Sequence, residues 1–300
     1  MRKKLNKRGM YPFLLAMPFV IFVFIFSYVP LAGWICAFYD YKPGLDFSQL
    51  EFVGLKYFTY MFQNWSQTKM VLTNTLVLSF LGLLCSPLPA IFAILLTEVK
   101  SKWFKKIVQT ATTLPNFISW IIVYGLAFSI FSAEGMVNTL LRNQGVIESS
   151  IDFLGDPDKS WIFMIILSVW KTLGWNAIIY LAAIAGIDQE LYDAASVDGA
   201  NRWKRIRHVT IPGLSSTYFV LLLLSISNLF SNGMDQYFAF VNPQVTNKLM
   251  VLDLYIYQMG VVGRQYSYSI AMGIWKTVIG ITLLLLANQL SKKLRGTSLI

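Results

Sequence analysis

The sequence predicts an all-α membrane protein, a polytopic bundle of six transmembrane helices. Hydrophobic residues make up 56% of the chain and charged residues only 13%, whereas soluble domains carry about 25% charged residues. The apolar residues fall into six runs of bilayer length, since a helix needs roughly 20 of them to cross the hydrocarbon. Isolated strands are excluded as spans because their backbone groups would stay unsatisfied in lipid.

The predicted spans begin directly after a basic N-terminal stretch. The first apolar run is longer than the roughly 7–15 residues of a secretory signal core, so we expect it to be retained as a helix. Prolines interrupt the first two spans and should kink them. Such interruptions accompany transport paths, although proline is also simply commoner in membrane helices. The six spans are 12–38, 71–96, 108–131, 161–186, 214–232 and 270–290.

The basic residues are distributed unequally between the two ends of the spans. Sixteen of the 25 Lys and Arg lie in the tails and in the second and fourth connections, seven lie in the other connections, and Lys171 and Lys276 lie within spans. Because cytoplasmic loops carry the excess of Lys and Arg, both termini are predicted to be cytoplasmic. The predicted parts are a cytoplasmic tail 1–10, a transmembrane domain 11–290 and a cytoplasmic tail 291–300.

The net charge of +10 has an explanation in these short loops beside membrane helices, so nucleic-acid binding is not expected. The two cysteines, Cys36 and Cys85, both lie in apolar spans. A disulfide framework is therefore unsupported, and small buried hydrophobic residues are the favoured interpretation.

The connection 187–213 has the most informative pattern in the chain. Asp198-Gly199 predicts a tight turn between two short helices, because glycine tolerates left-handed backbone angles. In the first helix Ala194 and Ala195 would leave a smooth surface, and in the second Trp203 and Ile206 lie one helical step apart. Such a helix pair could dock into a groove of another protein. An ordinary amphipathic helix at the membrane surface is equally compatible with the physical pattern.

The same connection resembles the EAA loop of ABC importer permeases. The resemblance rests on Asp193-Ala194-Ala195, then Asp198-Gly199-Ala200, then Val209, Ile211 and Pro212, with Asp193 in place of the usual Glu and Ile211 in place of Leu. Five further segments resemble the LplB-like branch, permeases for complex oligosaccharides, although Asn116 stands where that branch often has His. These segments are 52–58, 109–120, 170–176, 234–238 and 253–257.

The resemblance implies a MetI-like domain with the type I ABC importer permease fold, forming half of a translocation pathway for oligosaccharides in a bacterial plasma membrane. It also implies that the loop is a coupling helix seated in an ATPase subunit. The implied partners are a second homologous permease, two ABC ATPase subunits and an extracellular solute-binding protein.

The chain contains no phosphate-binding Gly-rich loop of the Walker type. ATP and Mg²⁺ are therefore expected on the ATPase, and no enzyme activity or metal is expected on this chain. The candidate coupling residues, from the resemblance and from the pattern of the second short helix, are Asp193, Ala194, Ala195, Asp198, Gly199, Ala200, Trp203, Arg205 and Pro212.

Polar residues inside the spans are candidates for a substrate path. Lys171 lies about ten residues into its span, roughly 15 Å deep at 1.5 Å per residue, where a charge is costly. A structural pair with a carbonyl or a neighbouring helix is the alternative. Ser225, Asn228 and Asn232 follow at spacings of three and four, which predicts one helical face that continues to Asp235. Sugar hydroxyls need such groups, and helix–helix hydrogen bonding is the alternative. The candidate path residues are Lys171, Trp175, Asn176, Ser225, Asn228, Asn232 and Asp235.

Two other classes of function are less compatible with the sequence. An ion-coupled secondary transporter typically needs carboxylates within the membrane, and no Asp or Glu lies in the core of any predicted span. A membrane enzyme needs a catalytic pair or a metal cluster. The single histidine, His208, lies in the basic flank of the 187–213 connection without a second ligand nearby.

Overall fold

The computed structural model describes residues 7–295, with the side chains of residues 12–293 except residue 290. Within this range every regular element is a helix, and the one strand-type pairing is an isolated bridge between Tyr39 and Phe52. Six helices are long and apolar enough to cross a membrane. The predictions of an all-α fold and of six spans are therefore confirmed.

The helices follow one another along the chain with short irregular connections. A π-helical turn and a 3₁₀ segment extend the first helix to Phe38, a π-helical turn joins α10 to α11, and another follows α14. The helices are α1 (Lys7–Val23), α2 (Lys56–Gln63), α3 (Trp65–Leu84), α4 (Leu88–Thr97), α5 (Lys102–Thr113), α6 (Trp120–Phe131), α7 (Met136–Asn143), α8 (Pro157–Ala185), α9 (Gln189–Val197), α10 (Arg202–Arg205), α11 (Ile211–Ser227), α12 (Asp235–Phe240), α13 (Thr246–Leu249), α14 (Leu252–Tyr257) and α15 (Tyr266–Arg295).

The chain divides into two compact units. The first contains the residues up to Trp65 together with Ile256–Lys276, and the second contains Ser66–Tyr255 together with the residues from Thr277. In the first unit the hydroxyl of Ser267 donates to the Tyr39 carbonyl at 2.7 Å and accepts from the Tyr41 N–H at 2.9 Å. This hydrogen-bonded link fixes the loop after the first span against the start of α15.

The second unit is organised around α8, which packs against α4, α5 and α11. Where α8 meets α4 and α11, Ala93, Ala177, Tyr180 and Leu214 form a buried cluster. The contact with α5 is closer still. A Cβ on Gly174 would lie only 2.3 Å from the Thr112 carbonyl oxygen, so only glycine allows the two backbones to approach this far.

The third predicted span, 108–131, is wrong as a continuous helix. Helix α5 ends at Thr113, a 3₁₀ turn covers Leu114–Phe117, and α6 begins afresh at Trp120. Pro115 removes a backbone donor, and the Ser119 hydroxyl accepts from the Ile122 N–H at 3.4 Å to cap the new helix. The membrane-length segment is consequently Trp120–Asn143.

The fifth predicted span, 214–232, has both ends displaced. The helical segment begins at Arg202, so the second short helix of the 187–213 connection continues into the span rather than standing apart. Pro212 lies in the first turn of α11, where its missing N–H costs little. The helix ends at Ser227 and Asn228 caps it. The other four spans lie within a few residues of their predicted positions, except that the second begins at Trp65.

Candidate functional site

The 187–213 connection folds as the predicted helix–turn–helix. Asp188 caps α9 by accepting from the Glu190 N–H at 2.9 Å. At its other end the Gly199 N–H donates to the Ser196 carbonyl at 3.1 Å and the Ala200 N–H to the Ala195 carbonyl at 2.9 Å, the two bonds of a Schellman motif. Gly199 has φ of +73° and open space around its Cα. The turn therefore requires glycine for its backbone angle and not for lack of room.

The outer surface of this connection carries exposed apolar side chains. Val197 is 88% exposed and Trp203 is 74% exposed, and Leu191, Asp193 and Ala194 of the same connection are exposed as well. Exposed apolar patches with a polar surround mark interaction sites. We call Leu191, Val197 and Trp203 the docking patch. Ile206, predicted to lie one helical step from Trp203, is buried and does not belong to this patch.

Other residues of the connection hold its shape. Arg205 is half-buried and donates to the Ser196 hydroxyl at 3.4 Å, so it braces the turn instead of projecting away from it. The Arg202 guanidinium bonds both the carboxylate and the backbone carbonyl of Glu98, which caps the C-terminal end of α4. The docking patch is thereby fixed to the ends of α4 and α11.

A cavity of about 380 Å³ lies in the same unit. Its walls come from α8, α11 and the connection between α3 and α4. Three predicted path residues, Asn176, Ser225 and Asn228, line it together with mostly apolar side chains. This composition, apolar walls with a few polar groups, is usual for ligand pockets.

The polar groups of the cavity differ in what they already bind. Ser225 and Asn228 donate to backbone carbonyls one turn earlier in α11, each at 2.9 Å. The hydroxyls of Ser86 and Tyr218 bond each other at 3.2 Å. The Asn176 side chain is exposed at the cavity and forms no hydrogen bond within the described part of the chain. Its amide can therefore both donate to and accept from a hydroxylated ligand.

Sequence reasoning missed Tyr218 and Ser86. Tyr218 precedes Ser225 by seven residues and Asn228 by ten, so the polar face of α11 extends towards its N-terminal end. The spacing of seven was a usable signal. Ser86 lies between Cys85 and Pro87, and its position in the wall follows from the tertiary fold alone.

The predicted helical face from Ser225 to Asp235 is wrong beyond Asn228, because α11 ends at Ser227. Asn232 instead donates to the Ser79 hydroxyl at 2.9 Å and to the Thr75 carbonyl at 3.4 Å, both on α3. Asp235 begins the separate helix α12 and is exposed. Neither residue lines the cavity.

Lys171 and Trp175 also lie outside the cavity lining. The Lys171 side chain is buried, and its ammonium donates to the carbonyls of Pro115 at 3.1 Å and Asn116 at 2.8 Å. The same ammonium lies 5.4 Å from the centroid of the Trp120 ring. Trp175 meets Phe117 edge to face, with 5.6 Å between centroids. These contacts match the structural alternative for Lys171, a pairing with carbonyls of a neighbouring helix.

Comparison with known proteins gives one family over most of the chain. The sequence model described as binding-protein-dependent transport system inner membrane component matches residues 86–296. The chain is similar to the protein LplB of Bacillus subtilis, with 39% identity over 289 residues, 96% of this chain and 90% of that protein. It is similar to the B. subtilis polygalacturonan/rhamnogalacturonan transport system permease protein YteP, with 38% identity over 285 residues, 94% of this chain and 88% of that protein.

The fold is similar to that of a chain in a solved complex. The crystal structure of the bacterial alginate ABC transporter with an alginate pentasaccharide-bound periplasmic protein contains a chain that aligns with a TM-score of 0.86 and 33% identity. The alignment covers 98% of both chains. The agreement extends over both units of the fold and over the 187–213 connection.

Proposed function

Because the chain belongs to the family of binding-protein-dependent transport system inner membrane components, we propose that it is the permease of an ATP-driven importer for oligosaccharides, including those with uronic acid units. Two similarities support this substrate class. One relative is named for polygalacturonan and rhamnogalacturonan, and the structural neighbour is named for alginate. All three names refer to polysaccharides that contain uronic acids.

The docking patch is the observation that carries the proposal of ATP-driven transport. Exposed Val197 and Trp203 on a rigid helix–turn–helix need a partner surface, and a separate ATPase subunit that binds ATP and Mg²⁺ is the partner we propose. Two such subunits, a second homologous permease and an extracellular solute-binding protein would complete the importer. This chain would then form the pathway and hydrolyse nothing itself. An ion-coupled transporter would have no use for the patch.

We propose that the docking patch and both termini face the cytoplasm of a bacterial cell, across its plasma membrane. The patch must meet ATPase subunits where ATP is available, and the excess of basic residues lies on the same side. Residues 1–6 and 296–300 of the predicted tails 1–10 and 291–300 lie outside the described residues. The boundaries of the transmembrane domain, 11–290, stay a prediction.

We place the sugar path at the cavity between α8 and α11. Asn176, Ser225 and Asn228 offer polar groups there, and a second permease would supply the opposing wall. Lys171 and Trp175 would act only indirectly, by holding α8 against the break between α5 and α6. Asn232 and Asp235 would lie beyond the cavity end of α11.

Replacing Trp203 with serine tests the docking patch. We expect the Trp203→Ser permease to insert normally but to lose most of its association with the ATPase, because a buried tryptophan anchor is often worth 2 kcal/mol or more, about a thirtyfold loss of affinity. The measurement is the amount of ATPase that co-purifies with the tagged permease, with transport measured alongside.

Trp103→Ser is the matched control, since Trp103 on α5 is also 74% exposed and also lies on the predicted cytoplasmic side. It should leave the ATPase association unchanged. Equal co-purification of the ATPase with both variants would contradict the docking patch.

A further inference from the structure

A second cavity, of about 310 Å³, lies in the first unit and is lined by tyrosines and cations. It is formed by the loop after the first span, by α2 and by the start of α15. We call it the tyrosine pocket. Its aromatic and charged lining residues are Asp40, Tyr41, Lys42, Lys56, Tyr57, Tyr60, Arg264, Tyr266 and Tyr268. Under the proposed orientation it opens outside the cell, because the first span ends at Phe38 and α15 begins at Tyr266.

The aromatic walls of the tyrosine pocket are fixed before any ligand arrives. Tyr41 and Tyr266 meet edge to face with 5.9 Å between centroids, and Tyr60 and Tyr268 do so at 5.2 Å. The Ser267 hydroxyl joins the two sides of the pocket through Tyr39 and Tyr41. Tyrosine presents a broad apolar face and a polar tip, which suits a pyranose ring with its C–H face and its hydroxyls.

The charges of the pocket leave an excess of positive charge. The single carboxylate of the lining, Asp40, accepts from the Tyr57 hydroxyl at 2.6 Å and pairs with Lys42 at 3.2 Å. These contacts lower the pKa of Asp40, and the hydrogen bond from Tyr57 is the larger cause. Burial, and after it the hydrogen bond to Asp40, raises the pKa of Tyr57 to about 12. Asp40 therefore stays ionised and occupied, which leaves Lys56 and Arg264 as exposed cations without ion pairs in the described chain.

Arg264 has an unusual backbone conformation. Its φ is +55°, and among the described residues no other non-glycine residue has a positive φ. An arginine rarely adopts this left-handed conformation, and such strain concentrates at functional sites. The turn places Arg264 two residues before α15, in the lining of the tyrosine pocket.

We propose that the tyrosine pocket binds a carboxylated sugar unit of an oligosaccharide, with Lys56 and Arg264 at the carboxylate and the tyrosine rings against the sugar. This site deepens the proposed function and rests on it for the choice of ligand. A concave pocket within the roughly 300–1,000 Å³ usual for small ligands favours a sugar over a protein surface. The arginine fork suits a carboxylate, which it can bind through two hydrogen bonds.

The test is direct binding of trigalacturonate to the purified permease complex without its solute-binding protein. Saturation-transfer-difference NMR measures this binding. Fully methyl-esterified trigalacturonate is the neutral control ligand. We expect the acid to bind more tightly than the ester. Arg264→Gln and Lys56→Gln should each weaken binding of the acid about tenfold, the effect of losing one charge-assisted hydrogen bond, and leave the ester unaffected. Lys56→Gln decides the test if Arg264→Gln disturbs the turn.

Lys69→Gln is the matched control variant, because Lys69 is an exposed lysine on the same predicted side but outside the pocket. It should bind the acid like the unaltered chain. Equal binding of acid and ester, an equal loss in Lys69→Gln, or charge variants that weaken only the association with a solute-binding protein would overturn the proposal. Binding is measured without transport. A complex that transports no oligosaccharide would therefore contradict the proposed function, while the binding result would still decide whether the tyrosine pocket binds a carboxylated sugar.

Discussion

At the scale of single residues, Lys171 shows how a membrane span can hold a buried cation without a carboxylate. At the break after α5 the Asn116 carbonyl has no backbone donor in the described chain, and the Pro115 carbonyl has only the Ile118 N–H at 3.2 Å; buried carbonyls need donors. The Lys171 ammonium supplies two hydrogen bonds to Pro115 and Asn116 and also faces the Trp120 ring. The lysine therefore stabilises the helix break, and the carbonyls of the break in turn stabilise the buried ammonium. The ammonium is occupied, which leaves it poorly suited to contact a passing sugar.

Substituting Lys171 by methionine should destabilise the permease. The Asn116 carbonyl would lose its donor, at roughly 1–3 kcal/mol for a buried group left unsatisfied, and the Pro115 carbonyl would keep only its bond from the Ile118 N–H at 3.2 Å. The thermal unfolding midpoint of the purified chain should therefore fall by several degrees, since a change of 1 kcal/mol moves it by roughly 2–4 °C in larger domains. Thr282→Val is the control, because that hydroxyl bonds the Val278 carbonyl of its own helix and does not line the cavity. If the Lys171→Met chain is as stable as the control and has an altered substrate preference, Lys171 contacts the substrate and its structural role is contradicted.

At the scale of elements, hydropathy predicts how many helices cross the membrane but not where each is interrupted. The third predicted span failed because an average over apolar residues does not detect a break at Leu114–Phe117. Pro115 is visible in the sequence, but proline also occurs in continuous membrane helices. The contact that stabilises the break comes from Lys171, 55 residues away from Asn116 in the chain. Only the tertiary fold brings them together.

The residues that line the candidate cavity were likewise predictable only in part. Ser225 and Asn228 follow from the rule that polar groups within spans face protein or water, and they line the cavity together with Asn176, another predicted path residue. Asn232 was misplaced because a spacing of four residues implies a shared face only while the helix continues. Whether Lys171 faced a path or a neighbouring helix could not follow from its depth in the bilayer.

The crossing of α5 and α8 depends on Gly174, one turn beyond Lys171. A methyl group there would meet the Thr112 carbonyl at 2.3 Å, so Gly174→Ala should push the helices apart and cost about 1–3 kcal/mol, as overpacking does. Gly125→Ala is the matched control, because Gly125 is also helical but has open space around it. That variant should be neutral or up to about 1 kcal/mol more stable. Thermal unfolding of both purified chains gives the comparison, and equal stability would contradict the close crossing.

At the scale of the whole molecule, the docking patch and the sugar cavity share structural elements. The patch continues directly into α11, whose far end contributes Ser225 and Asn228 to the cavity. Arg202 ties the same patch to Glu98 at the end of α4, and the connection before α4 contributes Ser86. A displacement of the patch by a bound ATPase would thus reach the cavity walls along two helices. This continuity gives the proposed coupling a physical route through rigid elements.

The proposed orientation predicts which loops are accessible from outside the cell. Ser149 lies exposed between α7 and α8, and Lys100 lies exposed between α4 and α5, so an odd number of spans separates them. On a background with Cys36 and Cys85 replaced by alanine, Ser149→Cys should react with an impermeant maleimide in right-side-out vesicles. Lys100→Cys should react only after the vesicles are permeabilised, because the excess of basic residues holds its loop inside. The reverse labelling pattern would invert the topology, and with it the docking patch could no longer meet an ATPase in the cytoplasm.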